Sequence, residues 1–153
     1  MKGLLFLVAC VLIVGALAST ACMAFSGAIW TTDEAGTVNR NIYDAKWDVY
    51  LNGGPQGRHG GLPDGIYYYQ VTDPSGGTVL SSEPIDERTI VVIGGWVETP
   101  VQLYPFDDTP SAGGEYKAWI TLVSDYEANG GAFAPGCTKT DSFKVKRGTI
   151  VPQ

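Results

Sequence analysis

Short runs in which apolar and polar residues alternate fill the chain after residue 24, and no window there has the period of an amphipathic helix. Clusters of glycine, proline, aspartate and asparagine separate these runs at intervals of roughly 8 to 15 residues. This spacing is typical of a single antiparallel β-sandwich of about eight strands. The predicted strands are 26–32, 46–51, 66–72, 78–82, 88–97, 101–106, 115–125 and 141–146.

Three of these runs carry specific expectations about their place in the fold. Residues 66–72 lie between two turn sequences that contain proline, aspartate and glycine, so both strand ends are predicted. Residues 88–97 are rich in β-branched side chains and are interpreted as a central strand covered on both faces. Residues 101–106 have Pro100 and Pro105 at their margins, which favours an edge strand.

Alternation also assigns individual aromatic residues to a face of the sandwich. Within residues 46–51 it places Trp47 on the apolar face, and within residues 115–125 it places Trp119 on the polar face. By the same rule, Tyr68 faces away from its two tyrosine neighbours in the sequence. An outward aromatic ring can stack on a sugar or fill a pocket of a partner. Trp119 and Tyr68 are therefore the candidate ligand-binding residues, the alternative being that they cover neighbouring side chains.

The first 24 residues have the composition of a secretory signal peptide. Lys2 supplies the positive charge, residues 4–17 are apolar, and small residues follow. Cleavage after Ala24 is preferred and cleavage after Ala18 is the alternative. A third interpretation makes Cys22 a lipid-modified cysteine, which would attach the protein to a membrane. A fourth leaves the leader uncleaved as a membrane anchor. The prediction is a signal peptide at 1–24, a β-sandwich domain at 25–153, and a secreted or cell-surface location.

The three cysteines provide too few bonds for a disulfide framework. Cys10 lies in the leader and Cys22 at its edge, so only Cys137 is certain to be in the mature chain. A lone exported cysteine is either buried or pairs between chains. Cleavage after Ala18 would instead permit a bridge between Cys22 and Cys137.

The charge balance bears on the class of partner. The chain has a net charge of −6, which becomes −7 when the leader with Lys2 is removed, and it has no cluster of lysine and arginine. Such a chain has no field that attracts phosphate backbones. Nucleic acid and anionic lipid surfaces are therefore not expected as partners.

Enzymatic and metal chemistry find little support in the residues. His59 is the only histidine and has glycines close on both sides, which is a poor setting for a catalytic base. One histidine and one certain cysteine do not make a zinc site. The acidic pairs 33–34 and 107–108 are interpreted as turn formers, with calcium binding left open. We expect a protein without enzymatic activity, metal or cofactor.

The stretch from Gly61 to Gly76 resembles the strand-and-turn motif of collagen-adhesin B-type modules and related prealbumin-like or immunoglobulin-like surface modules. The order of the mature segments is also similar to that of a group of exported bacterial proteins of unassigned function. The residues that carry the first resemblance are Leu62, Gly65, Tyr67, Val71, Pro74 and Gly76.

The resemblance implies an immunoglobulin-like or prealbumin-like sandwich at a bacterial surface. The adhesin modules often carry a Lys–Asn isopeptide bond assisted by a buried acid. Here Val71 stands where that acid would be, and residues 142–146 contain no asparagine, so we expect no such bond.

The function predicted from the sequence is that of an exported surface or matrix module acting in adhesion or assembly, with a protein or glycan as partner. One alternative is a carbohydrate-binding module. Another is a filament subunit that assembles by strand exchange, in which the piece from Phe25 would be the donor and residues 89–93 a template.

Overall fold

The computed structural model describes Cys22, residues 25–38 and residues 40–147. Apart from Cys22, the predicted signal peptide lies outside the described residues. The described chain is mostly β-strand, arranged in two sheets that share one hydrophobic core. The prediction of an all-β, sandwich-like fold is thereby confirmed.

Nine strands, one short α-helix and two 3-10 turns (Lys46–Asp48 and Ile85–Glu87) make up the regular structure of the described residues. The strands are β1 (Ala28–Thr32), β2 (Ile42–Tyr43), β3 (Tyr50–Gly54), β4 (Gly65–Thr72), β5 (Thr89–Ile93), β6 (Trp96–Val97), β7 (Val101–Gln102), β8 (Glu115–Leu122) and β9 (Thr138–Val145). The helix α1 (Val123–Ala128) follows β8 directly. The strand order is β1-β3-β7 in the smaller sheet and β2-β9-β8-β4-β5-β6 in the larger one.

β4 lies in the middle of the larger sheet and follows the predicted pattern. Tyr67, Tyr69 and Val71 point into the core and are buried, as strand alternation requires. The Tyr67 hydroxyl donates a hydrogen bond of 2.7 Å to the Pro63 carbonyl. Burial raises the pKa of Tyr67, so the hydroxyl stays protonated and keeps donating. The turn before β4 is thus tied to the core by the strand's own tyrosine.

The core contains a compact group of aromatic rings between the sheets. The Phe106 ring lies 5.1 Å from Tyr116 and 5.9 Å from Phe143, measured between centroids. Tyr116 and Phe143 are stacked at 5.2 Å. Phe143 and Val145 face inward on β9 and are buried. Edge-to-face and offset stacked rings of this kind stabilise a core beyond their buried area.

The Asp141 carboxylate on β9 of the larger sheet contacts the backbone of β1, the edge strand of the smaller sheet. Asp141 on β9 faces the core side, and its Oδ2 accepts the N–H of Thr31 at 2.8 Å. Thr31 is fully buried, so without this acceptor its N–H would be unpaired and away from water. Desolvation raises the pKa of Asp141, since burial disfavours the charged form. The side chain thus satisfies an edge N–H that a further strand would otherwise pair.

The larger sheet is mixed, which corrects the prediction of a purely antiparallel sandwich. β2 runs parallel to β9, with Ile42 opposite Lys144 and Tyr43 opposite Val145. After β1 the chain leaves the smaller sheet and reaches the outer edge of β9. Because it arrives there in the direction of β9, the pair is parallel. A two-residue strand at an edge gives no periodic signal in the sequence.

Residues 88–97 are not one central strand, contrary to the prediction. They form the β5–β6 hairpin at the edge of the larger sheet, joined by Gly94 and Gly95. Both glycines have positive φ, at 62° and 86°, as a two-residue hairpin turn requires. Burial alternates along β5, with Val91 and Ile93 exposed. One face of the β-branched run therefore remains uncovered.

Two predicted strands begin or end differently because a helical turn takes part of each. Residues 46–48 form a 3-10 turn before β3, so the strand starts at Tyr50 rather than at Lys46. Residues 123–128 form α1, so β8 ends at Leu122. In both places polar and charged residues interrupt the alternation.

Of two further predicted strands, residues 78–82 do not form a continuous strand, whereas residues 101–106 include an edge strand. Residues 78–82 make only isolated bridges, from Val79 to Thr72 and from Ser81 to Phe106. The edge prediction for residues 101–106 is confirmed, since β7 is an outer strand of the smaller sheet.

We predict that two substitutions at Asp141 separate its role as acceptor for the Thr31 N–H from the effect of burying its charge. In Asp141→Ala the Thr31 N–H loses its acceptor, so the free energy of unfolding falls by about 1–3 kcal/mol. In Asp141→Asn the amide oxygen still accepts, and no charge is buried. Urea unfolding measures both variants.

The raised pKa of Asp141 also predicts how the stability of the wild type and of Asp141→Asn depends on pH. Because the folded chain raises the pKa of Asp141, this group stabilises the fold below its unfolded pKa and loses that contribution as the pH rises through the folded value. Between about pH 4 and pH 8 the stability of Asp141→Asn should therefore fall less than that of the wild type. Equal stability of the Ala and Asn variants at every pH would show that this bond does not close the edge.

Candidate functional site

Trp47 is the most exposed large hydrophobic side chain in the described part of the chain. Its relative exposure is 60%, and it lies in the 3-10 turn between β2 and β3. The prediction placed it on the apolar face of a strand, but the turn rotates it outward, while Val49 and Leu51 remain fully buried. The charged residues of the stretch 44–48 are the signal in the sequence that could have shown this break.

The turn that presents Trp47 is held by side chains on both of its flanks. The Gln102 side-chain amide donates to the Trp47 carbonyl at 2.8 Å. The Lys46 ammonium donates to the Phe106 carbonyl at 2.9 Å and pairs with Asp108 at 2.8 Å. One distant stretch of the chain, residues 102–108, therefore holds the turn that carries the indole.

Tyr104 supports the indole from the side. Its ring meets that of Trp47 edge to face, with centroids 6.4 Å apart and an interplanar angle of 88°. Tyr104 is 42% exposed and itself contacts the buried ring of Phe106. The two exposed rings are thus joined to the core.

Two clefts flank Trp47, and both include it in their walls. The first, which we call the acidic cleft, has a volume of about 470 Å³. The second, which we call the mixed cleft, has a volume of about 600 Å³. The acidic cleft is lined by Asp33, Glu34, Arg40, Tyr43, Asp44, Trp47, Asp48, Tyr50 and Gln102. The charged residues of the mixed cleft are Asp44, Lys46, Asp108, Lys146 and Arg147. We call the two clefts together with Tyr104 the Trp47 surface.

Hydrogen bonds keep several carboxylates of this surface ionised. The Thr37 N–H donates to Asp33 at 3.0 Å and lowers the pKa of that carboxyl. The Lys146 ammonium, 2.7 Å from Asp44, lowers the pKa of Asp44. The Lys46 ammonium does the same for Asp108.

Tyr43, in the wall of the acidic cleft, stays neutral. Desolvation raises the pKa of its hydroxyl to about 12, and the hydroxyl donates to the Arg40 carbonyl. Together with the ionised carboxylates, this gives the surface fixed charges and aromatic faces at neutral pH. That composition suits binding rather than proton transfer.

Trp119 lies on the outer face of the larger sheet, as predicted, but one side of its ring is covered. Its Nε1–H donates to the Thr72 hydroxyl at 2.9 Å. Gly76 lies so close that a Cβ there would be 2.7 Å from the ring, and the Lys117 ammonium is 5.4 Å from the ring centre. Trp119 and Gly76 also line a cavity of about 370 Å³ whose aromatic walls include Tyr126 and Phe133.

Tyr68, the second predicted ligand-binding residue, packs against α1. Its ring meets Tyr126 edge to face at 5.1 Å. Tyr126, rather than Tyr68, forms the wall of the cavity beside Trp119. The structure therefore brings Trp119 together with Tyr126 and not with Tyr68.

His59 and the acidic turns, which the sequence analysis weighed as catalytic or metal-binding residues, either lie away from the clefts or pair with other side chains. His59 is exposed in a glycine-rich turn and lines neither cleft of the Trp47 surface. In the acidic turns, Asp33 caps its own turn and pairs with Arg40 at 3.2 Å, and Asp108 pairs with Lys46.

Cys22 and Cys137 form a disulfide, with Cα atoms 5.1 Å apart. Asp125 lies beside them, and these three side chains are the one group of potential metal ligands in the part of the chain that the structure describes. The sequence had left the pairing of these cysteines open.

Comparisons of the chain with protein families, with curated proteins and with solved structures find no match. Within residues 25–38 and 40–147, no helix has the length and apolar character needed to cross a bilayer. The fold and the Trp47 surface therefore define the class of protein, a sandwich-like β domain with an exposed aromatic site.

We predict that Gly76→Ala disturbs the seat of Trp119. The new methyl group meets the ring, and the residue keeps a φ of 81°, which strains an L side chain. Gly57→Ala is the matched control, since φ there is 61° and nothing lies within 4 Å. The control should lose about 1–2 kcal/mol from backbone strain alone. Gly76→Ala should lose more and shift the tryptophan fluorescence, and equal losses without a shift would show that the ring does not rest on Gly76.

Proposed function

We propose that this protein is an exported binding module without catalytic activity that acts in adhesion at the cell surface or in an extracellular matrix. The Trp47 surface is its contact face. The observation that carries the proposal is that an indole 60% exposed stands between two clefts while its turn is held by bonds to distant residues.

The physical advantage of this arrangement is preorganisation. Tryptophan offers a large contact area with few rotatable bonds, and such residues dominate the energy of many interfaces. The bonds of Gln102 and Lys46 hold the turn before a ligand arrives. Less conformational entropy is then lost on binding.

The chemistry of the clefts supports binding over catalysis. Asp33, Asp44 and Asp108 have lowered pKa values because hydrogen bonds stabilise their charged forms. A general acid needs the opposite shift, toward the working pH. Neither cleft has a histidine or cysteine among its lining residues.

We further propose that the sandwich is of the immunoglobulin-like or prealbumin-like type. Support comes from the motif shared with the adhesin modules. Leu62 and Tyr67 are buried, Gly65 begins β4, and Gly76 takes a positive φ in the turn after it. These residues therefore have the structural roles that such a motif needs.

Trp47→Ala tests the contact face. Labelled mature protein is titrated onto cells of the producing organism, and the variant should bind at least about tenfold more weakly, as expected of a central aromatic anchor. Its thermal midpoint should stay near that of the wild type, because the side chain is mostly outside the core.

Trp96→Ala is the matched control for this titration, since Trp96 is 51% exposed and lies on β6, outside both clefts. It should bind like the wild type. Treating the cells with protease or with glycosidase then distinguishes a protein partner from a glycan. Unchanged binding by Trp47→Ala, or equal loss in both variants, would reject the Trp47 surface.

A carbohydrate-binding module is the second candidate, and the cavity beside Trp119 is the observation that favours it. Aromatic side chains from β8, α1 and the following segment meet there next to the amide of Gln70. Rings that flank a polar group are suited to a sugar, which has apolar faces and hydroxyl edges.

A glycan array discriminates this second candidate. Phe133→Ala and Trp119→Ala should lose at least about tenfold in glycan affinity, whereas Trp119→Phe should retain part of it because a stacking face remains. Trp47→Ala should bind like the wild type. Absence of binding by the wild-type protein, or full binding by Phe133→Ala, would remove this candidate.

Assembly by strand exchange stays a prediction with less support. Residues 89–92 pair with β4 on one side, and Val92 and Ile93 pair with β6 on the other. Phe25, at the start of the supposed donor piece, packs against Tyr67 of its own domain at 6.1 Å between ring centroids. A donor strand would first have to leave these contacts.

A further inference from the structure

The disulfide between Cys22 and Cys137 joins the segment before β1 to the turn before β9, across a sequence separation of 115 residues. The Cα separation of 5.1 Å lies in the ordinary range for such bonds. Cys137 is 1% exposed, and its carbonyl accepts the Thr121 hydroxyl at 3.0 Å. The Asn129 side-chain amide lies 3.5 Å and 3.6 Å from the two sulfurs.

This geometry bears on the three ways in which the leader could be processed. Cleavage after Ala24 would remove Cys22 and leave Cys137 unpaired. Lipid attachment would use the Cys22 Sγ for a thioether. One sulfur atom cannot hold both a thioether and a disulfide.

We infer that Cys22 remains in the mature protein, that its sulfur is committed to Cys137, and that processing cuts before Cys22, at Ala18. Cys22 then carries no lipid. The inference rests on the export part of the proposed function and is independent of the Trp47 surface.

Formation of the disulfide needs an external oxidant that itself carries a disulfide and is reduced to a dithiol. A thiolate of one cysteine attacks the oxidant's disulfide, which gives a mixed disulfide and releases one oxidant thiol. The second cysteine then attacks the mixed disulfide, and the Sγ–Sγ bond forms as the other oxidant thiol leaves. The pair loses two electrons and two protons, and the oxidant gains them. Exported proteins meet such oxidants, whereas cytosolic proteins are kept reduced.

The bond also holds the end of the segment that connects α1 to β9. Residues 129–137 connect α1 to β9 and contain three glycines with positive φ. The Asn129 amide donates to the Asp125 carbonyl at 2.7 Å, and the Gly131 N–H donates to the Tyr126 carbonyl at 2.9 Å. The disulfide holds the other end of the segment, at Cys137. Phe133, in the middle of this segment, forms part of the cavity beside Trp119. The ring of Phe133 meets Tyr126 at 5.6 Å between centroids, and the disulfide anchors one end of the segment that carries Phe133.

The test is the intact mass of the full chain after secretion into a bacterial periplasm. We expect a chain that begins at Ser19 and weighs two hydrogen atoms less than its reduced form. Non-reducing peptide mapping should show the peptides of Cys22 and Cys137 linked. Where the chain is not exported, oxidative refolding of the purified protein tests the pairing separately from the location.

Three results would overturn the inference. They are a mature chain that begins at Phe25 with a free Cys137 thiol, a diacylglycerol mass on Cys22, and protein isolated with both thiols free. A stoichiometric zinc ion on Cys22, Cys137 and Asp125 would be a form of the third result, since these side chains could also serve as metal ligands.

Serine variants of the secreted chain provide a second readout. Because both remove the same bond, Cys22→Ser and Cys137→Ser should each lower the thermal midpoint by roughly 10 °C or more, and the double variant no further. Cys10→Ser is the control and should leave the midpoint unchanged. A loss in Cys137→Ser alone would show that Cys137 acts as a buried apolar residue and not as a partner of Cys22.

Discussion

The hydrogen bond from the Thr31 N–H to Asp141 joins β1 of the smaller sheet to β9 of the larger sheet. It holds the two sheets together at this edge of the sandwich. β1 pairs with β3 along five residues, so the position of β1 against β9 also sets that of β3. The turn that carries Trp47 leads directly into β3. The exposed indole therefore depends on a carboxylate in another sheet, and a buried acid with a raised pKa is the cost of that closure.

The aromatic residues divide into two groups with different physical roles. Tyr67, Tyr116 and Phe143 are buried and supply the apolar area that stabilises a domain of this size. Trp47 and Tyr104 contribute little to the core, since about half of each remains in water. Their contact through Tyr104 with Phe106 nevertheless joins the surface to the core and limits its motion.

The disulfide and the Trp47 surface lie in different parts of the fold. In each place a surface segment is held in one conformation, but by different interactions. Around Trp47, side-chain hydrogen bonds from Lys46 and Gln102 hold a short turn. In the segment 129–137, which contains three glycines with positive φ, a covalent bond at Cys137 holds the end that leads into β9. Each device limits the conformations of a surface segment and so lowers the entropy that binding there would remove.

The features that follow from neighbours along the chain could be predicted from the residues alone. Alternation placed Trp119 on the outer face and Tyr68 opposite to its two tyrosine neighbours, because successive strand residues point to opposite sides. Tertiary structure alone decided the exposure of Trp47, the closure by Asp141 and the pairing of the cysteines. These depend on partners 55, 110 and 115 residues away, for Trp47, Thr31 and Cys22 respectively. A local pattern carries no information about such partners, since the folded path of the chain decides which distant groups meet.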